Sequence, residues 1–278
     1  MNPSYWQWSR LVPARLFDAW EERVGAVSGT TFSATFLPGK RAVRIHLYAP
    51  SQRVLQQVRV RFGGSLQRRS LHVDLRKSTA PFTLTVSRRL LITSTPPKIE
   101  RSASVPIPQL HIPAGMAFGT GQHATTALCL RRLAELIRPN SFGTLLDVGT
   151  GTGVLALAAA TWGWRALAFD NDPDAIREAR HNAQRNGLSR AIRFQLASLE
   201  TFEPPTPADL ITANLFAALH EKFLRQMTLW CKPNGHLILS GILVNQEESV
   251  RRATSGAGLC VERRWRCGKW ICLRTSRA

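Results

Sequence analysis

Residues 145 to 170 constrain this chain more than any other stretch. An apolar run, Leu145-Leu146-Asp147-Val148, ends in three glycines at alternate positions, Gly149, Gly151 and Gly153. An Ala-rich stretch follows, and a second apolar run, Ala166-Leu167-Ala168-Phe169, stops at Asp170. The pattern predicts a strand, a tight turn, a helix and a second strand. Glycines at such a turn let the backbone approach a bound molecule with no Cβ in the way, and an acid ending the next strand can accept hydrogen bonds from ribose hydroxyls. The unit reads as built for a nucleoside.

The dinucleotide fingerprint needs its third glycine one position later, for close helix packing and phosphate approach, and this chain has Val154 there. A pyrophosphate is therefore disfavoured. S-adenosylmethionine suits the arrangement better, because its adenosine and amino-acid ends need no phosphate cradle.

At 278 residues the chain is long enough for two units, and 44% apolar residues suffice for their cores. No apolar stretch reaches the ~18 residues that a bilayer span requires, and the N-terminus lacks the charged-then-apolar layout of a signal peptide. A soluble cytoplasmic monomer with no membrane contact is expected. The cysteines at 129, 231, 260, 267 and 272 are scattered and show no metal-ligand spacing, so buried thiols are expected and no metal site. The net charge of +19 is concentrated toward the N-terminus, where residues 1 to 95 hold 15 basic and 4 acidic side chains. Such a charge attracts polyanions, and rRNA contact through a basic surface is one reading. Arg outnumbers Lys by 31 to 6, a skew that genomic base composition can also produce.

In chain order, residues 5 to 11 predict a strand and 14 to 24 a helix with Leu16, Phe17, Trp20 and Val24 on one side. Residues 30 to 36 and 42 to 48 alternate around Pro38-Gly39-Lys40, a hairpin signal. Ser51 can cap a helix carrying Val54, Leu55, Val58 and Phe62 that Gly63-Gly64 stops, and residues 66 to 73 predict a last strand. The order β-α-β-β-α-β implies a small ferredoxin-like α+β domain over 1 to 73. Residues 74 to 110, rich in Pro, Ser, Thr and Arg, read as a linker with one strand-like patch at 90 to 93. Residues 111 to 278 then read as an α/β domain. A helix carrying Leu128, Leu130, Leu133 and Leu136 comes first, then the glycine unit, then a helix with Asp172 as cap, Pro173 in its first turn, Ala175, Ile176, Ala179 and Ala183 inward, and Gly187 after its end. Short strands follow at 192 to 196, 209 to 214 and 236 to 240. A helix with Phe216, Leu219, Phe223, Met227 and Trp230 on its apolar face lies between the last two. A helix near 247 to 254 and a hairpin over Cys267-Gly268 finish the chain. This implies a doubly wound Rossmann-like sheet with an antiparallel edge.

With these residues in view, the chain resembles the bacterial ribosomal protein L11 methyltransferases (the PrmA family), which use S-adenosylmethionine to methylate amines of a large-subunit ribosomal protein. Three motifs carry the resemblance: Pro-Ala-Gly-Met-Ala-Phe-Gly-Thr-Gly-Gln-His-Ala-Thr-Thr at 113 to 126, the Gly149 loop, and Ala213-Asn214-Leu215 with Leu-Ser-Gly-Ile at 239 to 242. The resemblance covers the whole chain, since the family has a small domain, a linker and a methyltransferase domain in this order. The family usually has Thr at Gln122, Pro at Ala124, and Cys and Ser at Thr150 and Thr152. These departures keep side-chain size around the cofactor.

The resemblance implies ribosomal protein L11, free or ribosome-bound, as the partner, and S-adenosylmethionine as the cofactor. It maps cofactor contacts onto Thr126, Gly149, Asp170 and Asn214. Gly151 would let the backbone approach the methionine end, and Phe118 and Thr120 would line the cavity from the loop before the first helix. Asn214, after an apolar strand, stands where this fold places reacting groups, outside the carboxyl ends of strands, and is the catalytic candidate. Each polar residue has a competing structural role: helix capping for Thr126, an acid at the following helix for Asp170, and turn capping for Asn214. His123 falls in a stretch whose role in the family is loop structure. A methyltransferase acting on another protein or on RNA, and a basic ribosome- or RNA-binding module without turnover, are the alternatives. The second would be marked by a lost Asp170 or Asn214, and both residues are present.

Overall fold

The computed structural model describes residues 4–13, 31–36, 42–49, 51–70, 82–96, 107–113 and 123–277, together with residues 16, 20, 23, 24 and 27. The chain divides into two units, Met1–Ala80 and Pro81–Ala278.

In the first unit, strands β1 (Ser4–Pro13), β2 (Thr31–Phe36), β3 (Ala42–Ala49) and β4 (Ser65–Ser70) form one sheet in the order β2-β3-β1-β4, with every neighbouring pair antiparallel. Helix α1 (Gln52–Phe62) connects β3 to β4. The Ser51 side chain accepts from the Arg53 backbone N–H at 3.3 Å, and Gly63, at φ +66°, takes the chain out of the helix where a side chain would be strained. Strand alternation sends Val43, Ile45, Leu47 and Ala49 inward, where they meet Trp8, Val12, Leu55 and Val58. The strand order is that of a ferredoxin-like sheet. The helix expected from 14 to 24 and the turn at 38 to 40 lie largely outside the described residues.

The second unit is a seven-stranded sheet in the order β10-β9-β8-β11-β12-β14-β13. Its parallel core consists of β8 (Thr144–Val148), β9 (Arg165–Asp170), β10 (Ile192–Leu196), β11 (Ala208–Asn214) and β12 (Cys231–Leu243). Strands β13 (Leu259–Cys267) and β14 (Trp270–Arg277) form the expected hairpin. The antiparallel strand is not at the edge, however, because β14 inserts beside β12 and leaves β13 outermost. The reason lies in the side chains: Ile271, Cys272 and Leu273 of β14 are wholly buried, whereas β13 is mostly polar and suits an edge.

Helices cover both faces. α2 (Ala124–Leu136), α3 (Val154–Thr161) and α4 (Pro173–Arg185) pack with Leu145, Ala166, Ala168 and Leu210. α5 (Ala217–Leu229) and α6 (Glu247–Gly256) pack with Leu146, Val148, Phe169 and Ile211. Adjacent residues in β8 thus serve opposite cores, which is why the run reads as continuously apolar. Asp172 caps α4 by accepting from the Asp174 N–H at 2.8 Å, and Ala175, Ile176, Ala179 and Ala183 are buried, as the periodicity predicted.

The stretch expected as a linker is partly sheet. β5 (Thr83–Val86) and β6 (Leu90–Thr93) form a hairpin, and β7 (Gln109–His111) adds parallel to β6. Val86, Leu90, Ile92 and Leu110 join the core that holds α2, and the Arg89 guanidinium donates to the carbonyls of Ala134 and Ile137, at the C-terminal end of α2. Four-residue strands set among Pro and Ser carry too short an alternation to be read locally. Cysteine burial also divides: Cys129, Cys231 and Cys272 are buried, whereas Cys260 and Cys267 on the edge strand are exposed. Among the described residues no helix is long and apolar enough to cross a membrane.

Candidate active site

The site lies at the carboxyl ends of β8, β9, β11 and β12, where parallel strands leave their termini side by side. Val148 pairs with both Phe169 and Ala213, so Gly149, Asp170 and Asn214 leave three adjacent strands together. The glycine loop hooks onto β9: the N–H groups of Gly149 and Thr150 both donate to the Phe169 carbonyl at 3.0 Å. Phe169 is itself fixed by a stack on Phe202, with ring centroids 3.8 Å apart, and by the edge of Trp230.

Gly149, Gly151 and Gly153 have φ of +69°, +55° and +82°, a region that residues with a Cβ rarely adopt. Gly153 also meets a packing demand, because a Cβ there would lie 3.1 Å from Ala179 and 3.3 Å from Phe194. The close-packing glycine is therefore Gly153, and Val154 goes into the core as the first residue of α3.

Asp170 does two things. One carboxylate oxygen accepts from the Gly151 N–H at 2.9 Å and the other from the Asp172 N–H at 3.1 Å. A carboxylate offers about four lone-pair positions, so two such bonds leave acceptor capacity for hydroxyl donors. Beneath the loop, the wholly buried Asp147 accepts from Thr150 Oγ1 and Thr212 Oγ1, each at 2.6 Å. Burial raises its pKa to about 6, against the pull of these two hydroxyls and the Ala156 backbone N–H. Asn182 on α4 is buried as well and donates from Nδ2 to the Thr152 carbonyl at 3.0 Å. Asp147, Thr212 and Asn182 together clamp both ends of the loop.

Thr126 and Asn214 meet across the sheet end. Asn214 Nδ2 donates to Thr126 Oγ1 at 3.3 Å, which leaves its Oδ1 as the side chain's acceptor. The following Leu215 is held by its N–H donating to the Ser240 carbonyl at 3.1 Å, and the same carbonyl accepts from the buried His220 Nε2–H at 2.9 Å. Burial lowers the His220 pKa, which keeps the imidazole neutral. Gly241 lies against this turn at φ +81°, where a Cβ would come within 2.3 Å of the Leu215 carbonyl oxygen. The glycine of Leu-Ser-Gly-Ile is thus required by backbone contact beside Asn214. The Leu215 side chain reaches back to Gly149, where a Cβ would be 2.6 Å from its Cδ2.

His123 caps α2: its Nδ1 accepts from Thr125, and its ring meets the edge of Trp270 with centroids 5.2 Å apart. Burial lowers its pKa also. The structure thus joins Gly151 to Asp170 and Thr126 to Asn214, with Leu215 between the two pairs. Phe118, Thr120 and Gln122 lie outside the described residues. Asp147, Asn182 and His220 are not predicted from the sequence, because each sits within an apolar or helical pattern and acts through a group distant in the chain, the Thr212 hydroxyl for Asp147 and the backbone carbonyls of Thr152 and Ser240 for the other two. Phe216 departs from expectation differently. It ends up 77% exposed at the start of α5, rather than on that helix's apolar face.

Comparison with known proteins gives one consistent outcome. The family model described as "Ribosomal protein L11 methyltransferase (PrmA)" matches residues 77–278. A ribosomal protein L11 methyltransferase of Thermus thermophilus is 43% identical over 168 residues, covering 60% of this chain and 65% of that protein. One from Pelotomaculum thermopropionicum is 45% identical over 161 residues, covering 57% and 51%. The match therefore spans between half and two-thirds of the length of these curated relatives. The crystal structure of a ribosomal protein L11 methylase from Lactobacillus delbrueckii subsp. bulgaricus superposes with a TM-score of 0.61 at 30% identity, covering 70% of this chain and 98% of that one.

Proposed function

The chain belongs to the ribosomal protein L11 methyltransferase (PrmA) family, and on that premise we propose that it transfers methyl groups from S-adenosylmethionine to lysine or N-terminal amines of ribosomal protein L11. The observation that carries this reading is the Asn214–Thr126 hydrogen bond, which occupies the amide nitrogen and leaves the amide oxygen as an acceptor at the end of a strand adjacent to the one that ends before Gly149.

The residues present fit the cofactor. Asp170 retains lone pairs for ribose hydroxyls after holding Gly151 and Asp172, and Gly149 and Gly151 carry no side chain at the turn. Thr126 is joined to Asn214, and the family resemblance adds Phe118 and Thr120, outside the described residues, as further cofactor contacts. When bound, S-adenosylmethionine supplies a methyl group activated by its sulfonium.

The protein's part is alignment and a neutral amine, since a direct displacement needs no nucleophile from the enzyme. A lysine of pKa ~10.4 costs about 4.6 kcal/mol to deprotonate at pH 7, from ~3.4 units at ~1.36 kcal/mol each. An apolar, uncharged pocket lowers that cost by disfavouring the ammonium form. Asn214 Oδ1 accepts a hydrogen bond from the amine N–H and aims the nitrogen lone pair at the methyl carbon. Thr126 prevents the amide from rotating away.

The test is incubation of the purified chain with labelled S-adenosylmethionine and purified ribosomal protein L11, with the modified residues located by mass spectrometry. Label on L11 amines supports the reading. Label on RNA, or on another protein from a lysate with L11 left unmodified, moves the assignment to a different substrate.

A further inference from the structure

The N-terminal sheet has two faces of different chemistry. Trp8, Val12, Val43, Ile45 and Leu47 point toward α1 and are buried. The alternate residues of the two middle strands point the other way: Gln7, Ser9 and Leu11 from β1, and Arg44, His46 and Tyr48 from β3. We propose that this second face binds single-stranded RNA, with bases stacking on His46 and Tyr48 and phosphate neutralised by Arg44. The proposal goes beyond methyl transfer and does not depend on it.

Three observations support it. The His46 and Tyr48 rings lie nearly parallel, 22° apart with centroids separated by 6.0 Å. They are held from the adjacent strand by Gln7, whose Nε2 donates to His46 Nδ1 at 2.9 Å and to the Tyr48 hydroxyl at 3.3 Å. Two rings and an amide held together on one face of a sheet are what base stacking and base-edge hydrogen bonding require.

The spacing is the second. Arg44-x-His46-x-Tyr48 places one cation and two aromatic rings on the same face of a middle strand, in a four-stranded antiparallel sheet ordered β2-β3-β1-β4. Sheet-based readers of single-stranded RNA place a basic residue and aromatic rings at alternate positions of a middle strand in the same way. Elsewhere on this face the Ser9 and Ser65 hydroxyls pair at 2.8 Å, and Leu11 is its large apolar side chain among the described residues. A surface so polar is poorly matched to an apolar protein partner.

Charge is the third. Residues 23 to 73 contain nine basic residues and no Asp or Glu; Arg44 stands on this face, and Arg53, Arg59 and Arg61 on α1 add to the charge of the unit from the other side of the sheet. A base-composition bias that exchanges Lys for Arg leaves charge unchanged and removes no acids, so it does not account for this imbalance. A polyanion does.

The experiment uses the full chain and a fluorescein-labelled single-stranded oligoribonucleotide of about ten nucleotides, within the ~4–16 that such surfaces cover. Anisotropy titration should show binding that weakens about tenfold or more in a His46→Ala, Tyr48→Leu double variant. Tyr48→Phe should stay within about twofold, because the ring remains. Arg44→Ala should reduce the slope of log affinity against log salt by about one. A duplex of the same composition should bind more weakly and ignore the ring substitutions. If the double variant melts early, photo-crosslinking of the unmodified chain decides, with a crosslinked peptide containing Tyr48 supporting the face. Equal binding of single strand and duplex, untouched by ring removal, would overturn the proposal in favour of diffuse charge. So would crosslinks confined elsewhere, or a double variant that keeps its RNA affinity and loses ribosomal protein L11.

Discussion

The Gly151 backbone N–H donates to the Asp170 carboxylate at 2.9 Å, so the acid at the end of β9 holds the glycine loop in shape, in addition to the ribose contact proposed for it. Replacing Asp170 with Ala removes both functions. Cofactor affinity should fall about 10- to 100-fold, the equivalent of losing a charge-assisted bond of ~1.5–3 kcal/mol, and the melting temperature should fall with it. Asp170→Asn should lie between, since one acceptor oxygen survives. Calorimetric titration with S-adenosylmethionine, run beside NAD as a control, checks this. Tighter binding of NAD would remove the cofactor assignment.

Asn214→Ala should leave the melt nearly unchanged and lower single-turnover methylation ~100-fold or more, because it deletes one orienting acceptor and little apolar surface. Cofactor binding should change much less. Thr126→Val, which keeps shape and loses the hydroxyl, should reproduce part of the turnover loss by freeing the amide. Unchanged turnover in both variants would return the pair to a purely structural role.

Asp147 links stability to pH. Its carboxyl titrates near 3.8 ordinarily and near 6 when buried beneath the loop, so between those values the folded state holds more protons than the unfolded chain. Stability contributed by this group should therefore fall as pH rises from about 4 to about 6 and stay level above, a total of roughly 3 kcal/mol. Asp147→Asn should lose that slope. The difference in melting temperature between wild type and variant, measured across this range, should be most favourable to wild type at the acid end. A difference that does not change with pH would show that the group does not titrate there.

Gly241→Ala and Gly187→Ala both put a side chain at positive φ, but an added Cβ at 241 would lie 2.3 Å from the Leu215 carbonyl oxygen, whereas at 187 nothing lies within 4 Å. Gly187→Ala should cost about 1–2 kcal/mol of stability and no activity. Gly241→Ala should cost more and depress turnover, because the displaced backbone carries Asn214. Urea unfolding and initial rates on the same preparations separate the two.

The second unit is expected to fold and bind cofactor as residues 81–278, while losing methylation of ribosomal protein L11. Starting instead at residue 112 removes β5 to β7, and with them the Arg89 contacts to α2 and four buried apolar residues. That shorter piece should melt lower or fail to fold. Circular dichroism melts of the two truncations, with cofactor titration of whichever folds, distinguish them. A truncation at 81 that methylates as fast as the full chain would place substrate recognition in the second unit.

Local patterning alone was enough to predict the elements that form around short-range causes. Ser51 and Gly63 delimit α1, Asp172 and Pro173 start α4, and the glycine run with Asp170 marks the turn between β8 and β9, because caps and left-handed turns depend on one residue and its neighbours. The position of Asn214 at the end of β11 was also legible, from the apolar strand before it and from a recognisable motif. What only the tertiary structure decided depends on groups far apart in the chain. β14 rather than β13 lies inside the sheet, because its three wholly buried residues are worth more apolar burial there. β5 to β7 become sheet once α2 offers them a core. Asp147, Asn182 and His220 become loop supports only when folding brings Thr212, Thr152 and Ser240 to them. Hydrogen bonds to partners 20 to 65 residues away leave no periodic trace in a sequence, whereas a cap or a turn does.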